Sequence, residues 1–415
     1  MSSSPASPAS PAHSGQPTIF LSAGEASGEH YGALLLQELK SRCPGAQFFG
    51  MGGSRMEALG LRRIVRSEDM AVMGITEVIR HLPRIYREYR RLRQSVRARR
   101  PDIAVLIDFP DIHLKLAQEF HRLHIPVIFF VSPQLWAWKK HRIKLVQQFV
   151  TQMLVIFPFE EPFYRQRGVD AIYVGHPLAD LPQPTISRAD FATANSLDPA
   201  RTWIGLLPGS RAKEIRLNLP EMLAAAKLLN AQNPVTEFIL PLASTLTPGQ
   251  RVMTQALINA QPIPVHLVDT PRATLHHARA SIVASGTATV EAALIGNPFV
   301  VVYRVSPITY FIAKRIVTVP HVAMVNLVAE KRLVPELIQD DFTGENIVQE
   351  IAPLLAEGEP RTAMISGLRA VAERLRSGRE PGETAIAKVA SITLEALRLH
   401  PSADKAQNIA KTVTL

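Results

Sequence analysis

Residues 103–107 (IAVLI) lead straight into Asp108-Phe109-Pro110-Asp111. Two carboxylates at the carboxyl end of a buried strand, stiffened by a proline, suit removal of a proton from an attacking hydroxyl. A helix starting near Ile112 also wants a capping carboxylate, so Asp111 reads mainly as the cap and Asp108 mainly as the base. In LLPGSRAKEI, residues 206–215, Gly209, Ser210 and Arg211 stand where a strand gives way to a helix. Backbone amides and a guanidinium fork at such a point fit a diphosphate. ASGTATVEAAL, residues 284–294, repeats the device with Ser285, Gly286 and Thr287, and Glu291 follows one turn later, in reach of a ribose diol. The pair suits a nucleoside diphosphate. The plain alternatives are a turn with an exposed arginine, and a solvated helix glutamate.

Two further segments carry polar chemistry. SAGEASGEHYG places Gly24, Gly28 and Gly32 around a strand-to-helix turn, with Glu25 among them. A carboxylate there repels phosphate, so a hydroxyl-rich sugar is the better ligand, and backbone room for a tight turn is the competing explanation. VSPQLWAWKKHR, residues 131–142, sets two tryptophans and a basic cluster in another such loop, where indoles either stack on sugar or acyl surface or simply pack. The dinucleotide fingerprint, the phosphate-binding G-x-x-x-x-G-K-[ST] loop, H-E-x-x-H and C-x-x-C are all absent. His113, His121, His124 and the pair His276-His277 lack metal-ligand spacing and read as surface residues. No metal and no cofactor is expected.

These loops need strands to hold them. Short β-branched runs alternate with amphipathic stretches from Thr18 onward, the pattern of parallel sheets crossed by helices. Strands are expected at 18–23, 46–49, 103–107, 126–131, 152–156 and 171–174, then at 203–207, 236–240, 264–268, 281–284 and 299–303. Length supports the same division, since 415 residues exceed one core. The expected fold class is α/β, with two doubly wound Rossmann-like domains facing a cleft. A leader spans 1–17, the N-terminal domain 18–180, the C-terminal domain 181–375, helices crossing back 376–398, and a frayed tail 399–415. Residues 176–185 read as a proline-rich linker.

Composition narrows the function classes. Hydrophobic content of 47% with 20% charged residues excludes large-scale disorder, and the lone Cys43 can form no internal disulfide. No apolar run reaches the ~18–20 residues of a membrane span, and residues 1–17 lack the apolar centre of a secretory signal, so a cytoplasmic location is expected. The net charge of +10 is concentrated in residues 80–100, which hold nine arginines and one glutamate. A nucleic-acid face would spread its charge; no nucleic acid is expected. Val78, Ile79, Leu82, Ile85, Tyr86, Tyr89, Leu92 and Val96 recur at helical spacing beside those arginines. That arrangement suits a basic amphipathic helix, starting at Pro83, on an anionic membrane surface contacted through residues 78–100. Packing of the same stripe on the protein's own core is the alternative. Oligomeric state is left open.

Taken in order and spacing, SAGEASGE, FFGMGGSRM, AVMGITEVI, PDIAVLIDFPD, SPQLWAWKKHR, VGHPLAD, LLPGSRAKEI, ASGTATVEAAL, VVYRVSPITYFIAKRIV and VPELIQ resemble the lipid-A-disaccharide synthase family over roughly residues 18–397. The resemblance implies a B-type (GT-B) glycosyltransferase fold, with acceptor in the first half and UDP in the second. It implies inverting, metal-free transfer of 2,3-diacylglucosamine from UDP-2,3-diacylglucosamine to the 6-hydroxyl of 2,3-diacylglucosamine 1-phosphate. The product is a β-1,6-linked disaccharide 1-phosphate, made at the inner face of the cytoplasmic membrane. It carries Asp108 over as base, Arg211 as the leaving-group arginine, and Glu291, Asn326 and Gln339 as substrate contacts. The chain departs from the family pattern at Glu29 (commonly aspartate), Ser54 (proline) and Ile112-His113 (phenylalanine-asparagine). Another GT-B transferase or epimerase acting on UDP-N-acetylglucosamine is the neighbouring reading. A non-enzymatic membrane-binding protein would explain only residues 80–100.

Overall fold

The computed structural model describes residues 16–24, 26–70, 75–242, 246–316 and 319–400. The expected leader, Glu25 and most of the expected tail lie outside these residues. The first domain contains strands β1 (Thr18–Ala23), β2 (Gln47–Gly52), β3 (Arg62–Arg66), β4 (Ile103–Ile107), β5 (Val127–Phe130), β6 (Gln152–Val155) and β7 (Ala171–Tyr173). Its helices are α1 (Ala26–Arg42), α2 (Ser54–Ala58), α3 (Ile75–Arg99), α4 (Pro110–Arg122), α5 (Ile143–Phe149) and α6 (Glu160–Arg165). The strands form one parallel sheet in the order β3-β2-β1-β4-β5-β6-β7. Order reverses between β1 and β4, which pair Ala23 with Ile107 at their carboxyl ends. Connections diverge at such a point and leave a crevice above it.

The second domain opens with α7 (Arg188–Ala194) and continues through β8 (Thr202–Leu207), α8 (Ala212–Gln232), β9 (Thr236–Pro241), α9 (Pro248–Asn259) and β10 (Val265–Val268). It goes on through α10 (Pro271–His277), β11 (Ala280–Ala284), α11 (Thr287–Ile295), β12 (Phe299–Tyr303), α12 (Pro307–Ile316), α13 (Met324–Ala329) and β13 (Glu336–Ile338). Three helices end the described chain: α14 (Gly344–Leu355), α15 (Glu359–Arg376) and α16 (Ala385–Leu399). This sheet is also parallel, in the order β10-β9-β8-β11-β12-β13, with its reversal between β8 and β11. The two anion-friendly sequences, 208–211 and 285–287, therefore flank one switch point.

Central strands such as β4 are buried on both faces and read as continuous apolar runs. β3 and β13 escaped the sequence reading because they are short edge strands. β3 is RRIVR, with only Val65 fully inside, and edges tolerate such charge. The expected linker is not free: Pro177, Leu178 and Ala179 form a buried 3₁₀ turn. Asp180 beyond it pairs with Arg379 and accepts from the Ala385 N–H at 2.8 Å. α16 packs on α1 of the first domain, where Arg42 donates to Ser391 Oγ at 2.8 Å. One continuous apolar cluster runs from β1 through β8 and β11 to α16, so the two sheets share a core.

Candidate active site

Asp108 sits at the corner between β4 and α4, at the first domain's switch point. Asp108 and Phe109 both take left-handed backbone, each at φ 52°. The Phe109 ring closes over Gly24, where a β-carbon would come within 2.2 Å of it, so only glycine fits at the end of β1. The Asp108 N–H donates to the Phe130 carbonyl at 2.9 Å, tying the corner to β5. Asp111 departs from its expected role: it caps nothing, and its exposed carboxylate pairs with Arg142 at 2.5 Å and Lys139 at 3.8 Å. His113 is a second correction. It is wholly buried rather than on the surface.

Asp108 lines a cleft of about 340 Å³ bounded by Tyr31, Ser132, Trp138 and Glu160 of the first domain and by Gly286, Thr287 and Val290 of the second. The loop after β5 forms one wall and resolves its two tryptophans into different roles. Trp136 is buried, packs edge-on against Phe159, and donates to Glu160 at 3.0 Å. Trp138 is 44% exposed, with Lys139 Nζ 4.1 Å from its ring centre, and is free to meet a ligand. Glu160 was not foreseen. Its carboxylate also accepts from Ser132 Oγ at 2.6 Å and the Phe157 N–H at 3.1 Å, pinning the wall in place. Burial pushes its carboxyl up to about 7, against the pull of those donors. His176, also unforeseen, lines the same cleft; burial, and then the Arg379 charge, pull its imidazole down to about 3. Glu160 lies in none of the segments quoted from the sequence, and His176 lies within VGHPLAD without being singled out there; burial beside the cleft marks both.

Across the cleft, Gly286 and Thr287 are exposed at the start of α11, and Gly286 has open space at its β-carbon position. Ser285 is held by its own N–H, which donates to Val302 at 2.9 Å. Glu291 lies one turn on, within α11. Burial raises its carboxyl, with Arg272 opposing; the Tyr31 hydroxyl is raised by its own burial first, and then by the charges of Glu291 and Asp108.

Ser210 and Arg211, at the start of α8, do not line the cleft that Asp108 faces. Their N–H groups donate to Glu214 at 2.9 and 3.3 Å, and Arg211 Nη1 reaches the same carboxylate at 3.1 Å. These donors at the start of α8 hold a carboxylate of their own chain. Asn326 and Gln339 both lie beside β13 with their amides hydrogen-bonded within the chain. The Asn326 amide donates to the Val334 carbonyl and Glu336, and accepts from the Leu333 and Val334 N–H groups. Gln339 clasps the Val305 backbone, accepting its N–H at 2.6 Å and donating to its carbonyl at 3.2 Å. Both side chains hold the polypeptide beside β13. Among the described residues no group of three or more His, Cys, Asp or Glu is placed to hold a metal.

A family model described as lipid-A-disaccharide synthetase matches residues 19–389. The chain belongs to that family. The lipid-A-disaccharide synthase of Acidobacterium capsulatum is 60% identical over 396 residues, covering 93% of this chain and 98% of that protein. That of Koribacter versatilis is 49% identical over 362 residues, covering 87% and 94%. Two solved structures share the fold at low identity. The kitacinnamycin glycosyltransferase superposes with a TM-score of 0.61 at 14% identity, over 92% of this chain and 99% of that one. The calicheamicin glycosyltransferase CalG4 does so at 0.58 and 16%, over 93% and 100%. The α/β, two-domain GT-B architecture is therefore established for this lipid-A-disaccharide synthase family member.

In this family member the arginine-rich helix divides in two. α3 begins at Ile75, so Pro83 is interior to it. Leu92 and Val96 are fully buried, and Ile85 and Tyr89 pack partly against the same core. Burial of each large apolar side chain contributes ~1.5–3 kcal/mol to folding. Leu82 and Tyr86 instead stand 56% and 59% exposed. Several arginines are paired: Arg87 and Arg91 with buried Glu88, Arg93 and Arg97 with buried Glu119, and Arg84 with Asp69. The stripe expected to face a membrane thus serves the core over its second half. Val78 and Ile79 side chains fall outside the described residues. Among those residues, no helix is long and apolar enough to cross a membrane.

Proposed function

We propose that this chain transfers 2,3-diacylglucosamine from its UDP conjugate to the 6-hydroxyl of 2,3-diacylglucosamine 1-phosphate, with inversion at the anomeric carbon. The observation that carries the reading is 60% identity to a lipid-A-disaccharide synthase over almost the whole chain. The acceptor oxygen forms a bond to C1 of the donor sugar, the bond from C1 to the UDP oxygen breaks, and the hydroxyl proton passes to Asp108. UDP leaves with its charge held by Arg211, the amides at the start of α8, and those of Gly286 and Thr287 at the start of α11. Such preorganised donors supply a large part of catalysis in glycosyl transfer without a bound metal. The diphosphate takes the place that Glu214 occupies at the Ser210 and Arg211 amides. Glu25 and Glu291 contact sugar hydroxyls.

Both substrates are acylated, and the exposed Leu82 and Tyr86 on a basic helix support docking at an anionic membrane surface, at the cytoplasmic face. The test of the activity is incubation of purified protein with both diacylated substrates and mass spectrometry of the products. A disaccharide 1-phosphate with stoichiometric UDP is expected. Release of UDP without disaccharide, or turnover of UDP-N-acetylglucosamine alone, refutes the reading.

A further inference from the structure

Two consecutive left-handed residues with β-carbons are sterically costly and persist only where surrounding contacts over-determine them. At Asp108 and Phe109 those contacts converge on His113. Its Nδ1 lies 2.6 Å from the Asp108 carbonyl oxygen, and its Nε2 lies 2.8 Å from Ser22 Oγ on β1. A carbonyl can only accept, so Nδ1 carries the hydrogen. The neutral ring then leaves Nε2 bare, and the Ser22 hydroxyl donates to it. Ser22 and His113 are both fully buried. Phe109 and Phe129 meet the imidazole edge-on at 5.8 and 6.1 Å and fix its plane. Burial pulls the imidazole down to about 4, so at neutral pH one tautomer persists. His113 has no exposed surface and does not line the cleft, so it cannot touch substrate.

We propose that His113 is the positioning residue for Asp108, a buried strut between Ser22 and the Asp108 carbonyl that holds the left-handed corner from which the carboxylate meets the cleft. The inference rests on Asp108 being the base. It assigns to His113 one essential feature, an N–H donor at the Nδ1 position. Asparagine keeps that feature, because its amide nitrogen can occupy the Nδ1 position, although it is too short to reach Ser22. Glutamine, one methylene longer, carries its amide past that point. Leucine fills the space with no donor.

The experiment measures kcat and both KM values for His113→Leu, His113→Gln, His113→Asn and Asp108→Asn, with UDP affinity and Tm as checks on folding. His113→Leu and His113→Gln should lose turnover by ~10–100-fold with KM nearly unchanged, since a displacement of about 1 Å at the reacting group can cost ~10². His113→Asn should recover most of that loss. Normal turnover in His113→Leu overturns the proposal, and so does an asparagine variant that falls as far as the glutamine one. The asparagine–glutamine comparison decides the matter if the leucine variant fails to fold. Asp108→Asn near wild type removes the base assignment and this inference with it. An inactive Asp108→Asn beside a normal His113→Leu removes only the inference.

Discussion

Acid should cost this protein a stability contribution that can be traced to one buried imidazole. His176 is almost fully buried, and its Nδ1 accepts the Leu178 N–H at 3.2 Å, a bond that requires an unprotonated nitrogen. Burial and the Arg379 guanidinium bring it down from 6.5 to about 3. A group depressed on folding stabilises the native state above its unfolded value and loses that contribution as pH falls. The unfolded chain takes up the proton from pH 6.5 downward, while the folded chain refuses it until about 3. At pH 4.5, two units below the unfolded value, the loss is about 3 kcal/mol at 1.36 kcal/mol per unit. The assay is urea unfolding of wild type and His176→Asn at pH 8 and pH 4.5. Asparagine places an oxygen near Nδ1, keeps the bond to Leu178, and does not titrate. His113 is depressed as well, but it is common to both proteins and cancels. Wild type should lose about 3 kcal/mol more than the variant between the two pH values. Equal losses would refute the assignment of this acid sensitivity to His176.

Asp108→Asn should lower turnover by roughly 10²–10⁴ while UDP binding survives; Asp111→Asn, which breaks only an exposed ion pair, should stay near wild type, and the reverse pattern in steady-state rates would move the base to Asp111. Arg211→Ala should weaken UDP binding in calorimetry, with lysine a partial rescue because it lacks the planar fork. Glu214→Gln should instead tighten UDP binding, because the carboxylate that a diphosphate displaces is gone; unchanged affinity would show that nucleotide binds elsewhere. In sedimentation with anionic vesicles, a double variant, Leu82→Gln with Tyr86→Gln, should bind less than wild type at low salt, and equal binding would end the docking role of that helix face.

Much of the architecture is legible in the chain because local rules and global fold agree. The run IAVLI reads as a strand buried on both faces, as it proves to be, and the alternation of such runs with amphipathic stretches points to parallel sheets. Gly24, Pro110, Gly209 and Gly286 mark the carboxyl ends of strands, so sequence places Asp108, Arg211 and Thr287 at loops where ligands bind. Those features are set by neighbours within a few residues, and the sequence determines them unaided. The tertiary structure decides what depends on which distant surfaces meet. Leu92 and Leu82 are alike in sequence, yet Leu92 is buried in the apolar cluster that includes Val65 of β3 and Leu116 of α4 while Leu82 is exposed. Trp136 and Trp138 part for the same reason, since Glu160 lies beneath one of them. The hydrogen bonds that Asn326 makes beside β13, and Gln339 to the Val305 backbone, likewise depend on segments brought together only by folding. His113, read as a surface histidine, becomes a strut only when β1 brings Ser22 against it across ninety residues of intervening chain. Hydrogen bonding and burial are properties of the folded neighbourhood, and no spacing within the chain encodes them.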